Sequence, residues 1–229
     1  MLRHGPTEPE LLAQIVLDCV RIPQDDGLRF EEESIKAQTL REEQVYSGVR
    51  VTLKAYLGKA QIALQLDVGT GDVVISAPER IEYPSLLDMP CASLRAYRLE
   101  TLIAEKCQAM MSLGMSNTRL KDFYDIYTLA SIHQFDARCL QEALRSTFMQ
   151  RGTPFPVIPP VAWNKKFYQD AQKTAQWQAF LRKSKLDATP LEKIVQAIEA
   201  FLMPLLQALD AQNLMDAQWR DGAWHIDEP

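Results

Sequence analysis

Lys106 stands in the run "LETLIAEKCQAMMSL" among Leu99, Leu102, Ile103, Met110 and Leu113, so an ammonium falls on the side of a helix that its apolar neighbours should bury. Sixteen and nineteen residues later, "NTRLKDFYDIYTLA" supplies Asp122 and Asp125, with Arg119 three residues before the first acid. A lysine stem can pack while its charge reaches water. The other reading sends the ammonium into a cleft, where it meets a phosphate as a point charge. Leu120, Phe123, Tyr124 and Tyr127 form the packing side of the second helix, and Arg119, Asp122 and Asp125 share a more polar side. Acids in the first turns also complement the helix dipole, and Lys121 and Asp125 have the spacing of a pair one turn apart. Both readings of the two helices stay open.

Asp67 is the third candidate. In "IALQLDVG" the residues Ile62, Leu64, Leu66 and Val68 point to one face of a strand and Gln65 and Asp67 to the other. A carboxylate at a strand end suits magnesium, a hard cation that phosphoryl- and nucleotidyl-transferring enzymes hold beside nucleotide phosphates. A solvated aspartate explains the same residue. "VGTGD" looks like a phosphate loop, but so short a match reads better as a tight turn. His133 has no nucleophile or ligand within a few residues and reads as a helix end. The stretch "WNKKFYQDAQKTAQWQAFLRKSK" mixes lysines with aromatics in a way that suits RNA; core aromatics under a solvated lysine face account for it as well.

The elements that must hold these residues follow from periodicity. "EPELLAQIVLDCVRI" carries Leu11, Leu12, Ile15, Val16, Cys19 and Val20 at helical spacing, and Pro23 closes it. Between Gly27 and Leu66 the period falls to two, which predicts a half-buried antiparallel sheet whose last two strands turn at Gly58 and Lys59. After a loop, "SAPERIEYPSLLDMPCAS", helices are expected over 95–113, 117–131 and 136–150, capped by Ser93, Asn117 and Asp136. "RGTPFPVIPP" is a stiff connector, since proline fixes its own φ and lacks an amide donor. Helices over 163–183 and 190–210 follow, the second bent or broken at Pro204, and the two tryptophans of the tail "LMDAQWRDGAWHIDEP" are expected to pack back on the body. The fold class is α+β, divided into residues 1–92 (partial α/β domain), 93–150 (helices carrying Lys106 and the acids) and 151–229 (helical extension).

A chain of 229 residues with 47% apolar and 24% charged side chains has the composition of a globular protein. Its net charge of −5 confines any polynucleotide contact to a local patch. Cys19, Cys91, Cys107 and Cys139 form no metal-binding cluster, two of them sit in helical apolar patterns, and the set fits a reducing cytosol. No apolar run spans a bilayer, and "MLRHGPTEPE" lacks the apolar core of a signal peptide, so a cytoplasmic location is expected.

Three segments together resemble the nucleotidyl transferase AbiEii/AbiGii toxin family of bacterial toxin–antitoxin and phage-defence systems. They are "DDGLRF…SIKAQTLREEQVYSGVRVTLKAYLGKAQIALQLDVGTGD", "YPSLLDMPCASLRAYRLETLIAEKCQAMMSLGMSNTRLKDFYDIYTLA" and "RGTPFP". The resemblance implies a polymerase β-like nucleotidyltransferase sheet and magnesium-dependent transfer of a nucleoside monophosphate from an NTP to an RNA end, such as that of tRNA, or to another acceptor. A cognate antitoxin is the implied protein partner. It further implies that Asp67 is the catalytic strand carboxylate near the metal, Lys106 the nucleotide-contacting lysine, and Asp122 and Asp125 the catalytic acids of the "KDxxD" motif; Arg119 and Lys121 are expected to bind the nucleotide beside Lys106. Family members also carry a Gly-Ser turn followed by an Asp-x-Asp strand that holds the principal metal carboxylates, and this sequence contains no Asp-x-Asp. Its start is therefore expected to be truncated. Three readings follow: a transferase, a relative that binds nucleotide or antitoxin without transfer, and a non-enzymatic interaction module. Lys106 and Asp122 are read as facing a cleft, so replacing either is expected to spare folding.

Overall fold

The structure is a computed structural model that describes residues 2–3, 8–41, 47–70, 77–86 and 88–226. The chain is a mixed α and β protein with small, mainly antiparallel sheets, divided into two compact units, Met1–Asp72 and Val73–Pro229. The first three residues of "VGTGD" belong to a strand over Ala60–Thr70, and the last two lie outside the described residues.

In the first unit, helix α1 (Pro9–Val20) starts on a proline, whose missing amide costs nothing at a helix start. Strands β2 (Leu28–Arg41), β3 (Ser47–Leu57) and β4 (Ala60–Thr70) form the expected antiparallel meander, and β1 (Leu2–Arg3) lies parallel to the end of β4. Gly58 and Lys59 make the two-residue turn, with Leu57 opposite Ala60 and Gly58 at φ +58°, a conformation glycine takes without a Cβ clash. Period two is complete only in the central strand β3, where Val49, Val51, Leu53 and Ala55 are buried and alternate with more exposed residues. Helix α1 lies over β2 and β3, placing Leu12 against Val49, Val51 and Val68. Burial on β4 is consequently less than its pattern suggests: Val68 is buried, while Ile62 and Leu66 are 36% and 37% exposed. The α1 stripe narrows for the same reason, with Leu12 buried and Leu11 and Cys19 exposed.

The second unit opens with β5 (Glu79–Tyr83) and β6 (Ala92–Ala96), a hairpin where the sequence reads as a loop. Because β6 takes residues 92–96, helix α2 (Leu99–Leu113) begins later than expected, with Arg98 rather than Ser93 at the cap position. Helix α3 (Leu120–Ile132) likewise starts after Asn117, whose side chain turns the chain before the helix by accepting the Arg119 N–H at 2.8 Å. The predicted cap of the next helix is present: Asp136, the end of β7 (Phe135–Asp136), accepts the Cys139 N–H at 2.9 Å at the start of α4 (Ala137–Gln150). His133 closes α3, as its position suggests.

Residues 163–183 do not form one helix. They divide into a 3-10 turn (Val161–Trp163), α5 (Lys165–Tyr168) and α6 (Ala171–Ser184), because Asn164 and Asp170 cap the two helices separately through the Lys166 and Lys173 amides. Helix α7 (Leu191–Asp210) runs through Pro204 as one helix, and ten of its residues are buried. The tail folds into β8 (Ala217–Arg220) and β9 (Ala223–Ile226) beside β7, which the sequence reading did not foresee. Its tryptophans do pack back: Trp219 and Trp224 lie 4.7 and 5.7 Å from the Phe201 ring. Their indole N–H groups reach the Ala130 and Phe201 carbonyls. The core of this unit lies among α2, α3, α4 and α7, with Phe123, Phe148, Trp163, Phe167 and Phe201 almost wholly buried.

Candidate functional site

Helix α2 buries Ile103, Ala104, Cys107 and Met110, and α3 buries Leu120, Phe123 and Ile126. Lys106 borders the first stripe and Asp122 and Asp125 border the second, so packing the two helices in one core carries the three charged groups toward each other. The Lys106 ammonium donates to Asp122 Oδ1 and, at 2.9 Å, lies against Asp125 Oδ2. All three side chains are largely withdrawn from water, at 14%, 15% and 21% exposure. Lys121, which is exposed, closes the cluster by donating to both Asp125 oxygens at 2.7 and 2.8 Å. The lysine on the buried side of α2 is thus compensated by carboxylates of a second helix.

The electrostatics follow from this geometry. Burial works against the Lys106 ammonium, but the hydrogen bonds to Asp122 and Asp125 outweigh it and hold the pKa above the ordinary lysine value. Burial likewise disfavours the Asp125 carboxylate, and the bonds from Lys121 and Lys106 reverse the effect, leaving its pKa below the ordinary value. The four groups sum to zero charge. A polyanion approaching Lys106 therefore competes with two carboxylates and does not meet a free cation.

Neighbouring contacts fix the helix ends. The buried Lys173 donates to the Asn117 carbonyl at 2.7 Å and lies 5.4 Å from the centre of the Phe167 ring, tying α6 to the turn that starts α3. Two residues beyond Lys106, the buried Gln108 donates to Thr153 Oγ1 at 2.8 Å and accepts from Arg151 at 2.7 Å. This links the "RGT" start of the proline-rich connector to α2. Gln108 and Arg151 were not singled out from sequence, where a glutamine beside a buried lysine carries no distinctive spacing.

Asp67 belongs to the first unit. It lies on the polar face of β4, where the β3–β4 register sets it opposite Arg50. The pair is bidentate, Arg50 Nε to Oδ1 at 2.7 Å and Nη2 to Oδ2 at 3.0 Å, and Gln65 donates to Oδ2 at 3.1 Å. The Arg50 hydrogen bond holds the Asp67 carboxyl below its ordinary pKa. Arg50 is the partner that sequence reading missed. Arg119 is exposed at the cap position of α3.

These carboxylates do not compose a magnesium site as they stand. Asp67 has both oxygens engaged by a guanidinium, Asp122 and Asp125 are held by ammonium groups, and no group of three potential metal-binding side chains occurs among the described residues. Buried Cys107 is a packing residue, its thiol pushed up by desolvation.

A family model described as nucleotidyl transferase AbiEii toxin, type IV toxin–antitoxin system, matches residues 5–203. No curated protein and no solved structure matches the chain.

Proposed function

The chain belongs to the nucleotidyl transferase AbiEii toxin family of type IV toxin–antitoxin systems, and from that premise we propose that it transfers a nucleoside monophosphate from an NTP to an RNA end such as that of tRNA. In this reaction an acceptor hydroxyl oxygen bonds to the α-phosphorus, the bond to the β-phosphate breaks, pyrophosphate leaves and the hydroxyl proton passes to solvent. The observation that carries the proposal is the cluster of Lys106, Asp122 and Asp125, formed within the residues that the family model matches. Lys106 contacts the triphosphate, Asp122 and Asp125 keep its side chain protonated and aimed, Lys121 offsets the second carboxylate, and the exposed Arg119 adds positive charge at the same end of α3. An ammonium already fixed by carboxylates loses less conformational freedom on binding than a free lysine.

Asp67 is assigned the metal-binding carboxylate by resemblance. Taking up magnesium there requires exchange for Arg50, and a magnesium titration with and without Asp67→Asn tests that assignment. The cognate antitoxin is the proposed protein partner. A second reading, nucleotide or antitoxin binding without transfer, is favoured by the engagement of every candidate carboxylate by a cation. Incubation with labelled NTPs, magnesium and total tRNA separates the two. Label in RNA that disappears in Lys106→Gln supports transfer, whereas saturable NTP binding with no pyrophosphate released supports binding alone.

A further inference from the structure

Among the described residues the hairpin of β5 and β6 forms a sheet of two strands, and every strand residue except Ala96 is exposed. Its two faces differ. Ile81 lies opposite Leu94 and Tyr83 opposite Ala92 on one face, which also carries Glu79, opposite Ala96 and paired with Arg98; Arg80 lies opposite Arg95 and Glu82 opposite Ser93 on the other. Ile81 and Leu94 are 41% and 44% exposed, so the apolar face is uncovered. A two-stranded hairpin is marginal in water by itself. This one also sets two guanidinium groups directly across from each other, a repulsive arrangement, and neither arginine nor Glu82 has an ion pair among the described residues.

The outer edge of β5 answers both deficits if it meets a copy of itself. We propose that β5 pairs antiparallel with β5 of a second copy about a two-fold axis at Ile81. That register sets Ile81 against Ile81 and Arg80 against Glu82 of the second copy, and by symmetry Glu82 against its Arg80. The result is a four-stranded sheet with a continuous apolar row of Leu94, Ile81, Ile81 and Leu94. On the opposite face each Arg80 gains the carboxylate it lacks. The outer edge of β6 offers no such match: a two-fold at Leu94 brings Arg95 against Ser93. Self-pairing therefore selects β5. Strands of five residues bury far less than the roughly 1,600 Å² of a standard stable interface, so the dimer is weak and concentration-dependent.

Charge reversal tests the register. Sedimentation velocity on the full chain over a concentration series is expected to show a reversible monomer–dimer equilibrium. Arg80→Glu and Glu82→Arg each turn two attractions into two repulsions and are expected to weaken the dimer on the order of tenfold. Mixing these two variants restores association, because every cross-copy pair is then of opposite sign. The double variant R80E/E82R restores it in a single chain. Arg80→Gln, expected to weaken the dimer by a smaller factor, keeps the comparison readable if a reversal perturbs folding. A wild-type chain that remains monomeric, a dimer indifferent to the single reversals, or variants that fail to associate when mixed would overturn the proposal.

Discussion

Lys106 illustrates how a charged residue on the buried side of a helix is accommodated. Its nearly buried ammonium is matched by Asp122 and Asp125, so its replacement is expected to cost stability as well as any activity. Lys106→Met leaves two partly buried carboxylates facing each other and is expected to destabilise the protein by about 2–3 kcal/mol in urea unfolding. A double-mutant cycle with Asp122→Asn should return a coupling of about 1–3 kcal/mol; additive effects would show that the two side chains do not depend on one another. The cluster also sets a pH window. Asp125 has its pKa lowered in the fold, so its contribution is complete above the unfolded carboxylate value of about 3.9 and is lost as pH falls through the folded value. Lys106 has its pKa raised, so its contribution is complete below the unfolded value of about 10.4 and is lost as pH rises through the folded value. Thermal unfolding followed from pH 3 to 11 should show these two charges contributing a plateau between those limits. Asp67 behaves differently: its pair with Arg50 is substantially exposed, and Asp67→Asn is expected to leave the unfolding midpoint little changed while abolishing any magnesium-dependent activity.

At the scale of elements, turns and caps explain both what could be read and what was missed. The two-residue turn at Gly58 and Lys59 was legible, and it fixes the whole β3–β4 register, including Arg50 opposite Asp67. That pairing was therefore available in the sequence to anyone who counted back from the turn. The break between α5 and α6 was available too, since Asn164 and Asp170 are both good cap residues; the aromatic periodicity across them masked it. The β5–β6 hairpin was harder, because "ERIEY" alternates apolar and polar residues but sits among loop-like residues and buries neither face. Ser34 illustrates an element-level device that periodicity does not reveal. At the register shift in β2 its hydroxyl donates to the Glu31 carbonyl at 2.6 Å and accepts the Lys54 N–H at 2.8 Å, so Ser34→Ala is expected to cost about 1–2 kcal/mol in chemical unfolding. Asp136 caps α4 and also accepts from Gln218 on β8 at 2.8 Å. Asp136→Ala should therefore cost at least the roughly 1 kcal/mol of an N-cap and loosen the β7–β8 pairing, visible as faster amide exchange at Trp219.

At the scale of the molecule, the first unit presents a strand carboxylate engaged by arginine and the second a lysine engaged by two aspartates, and the family match spans both. No helix among the described residues is long and apolar enough to cross a membrane. The mixed α and β character, the meander and the helix pair bearing Lys106 were legible because each rests on periodicity and local turns. The ion cluster itself was only half legible: spacing puts each charge beside an apolar stripe, but which stripes pack together depends on contacts distant in sequence. Lys106 is the residue proposed to meet the nucleotide's phosphates. The direct measurement is equilibrium binding of a labelled NTP to the wild type and to Lys106→Gln, with circular dichroism confirming that both are folded at the temperature used. Saturable binding by the wild type that weakens at least on the order of tenfold in Lys106→Gln is the predicted result; equal affinity in two folded proteins would contradict it and leave the cluster a structural ion pair.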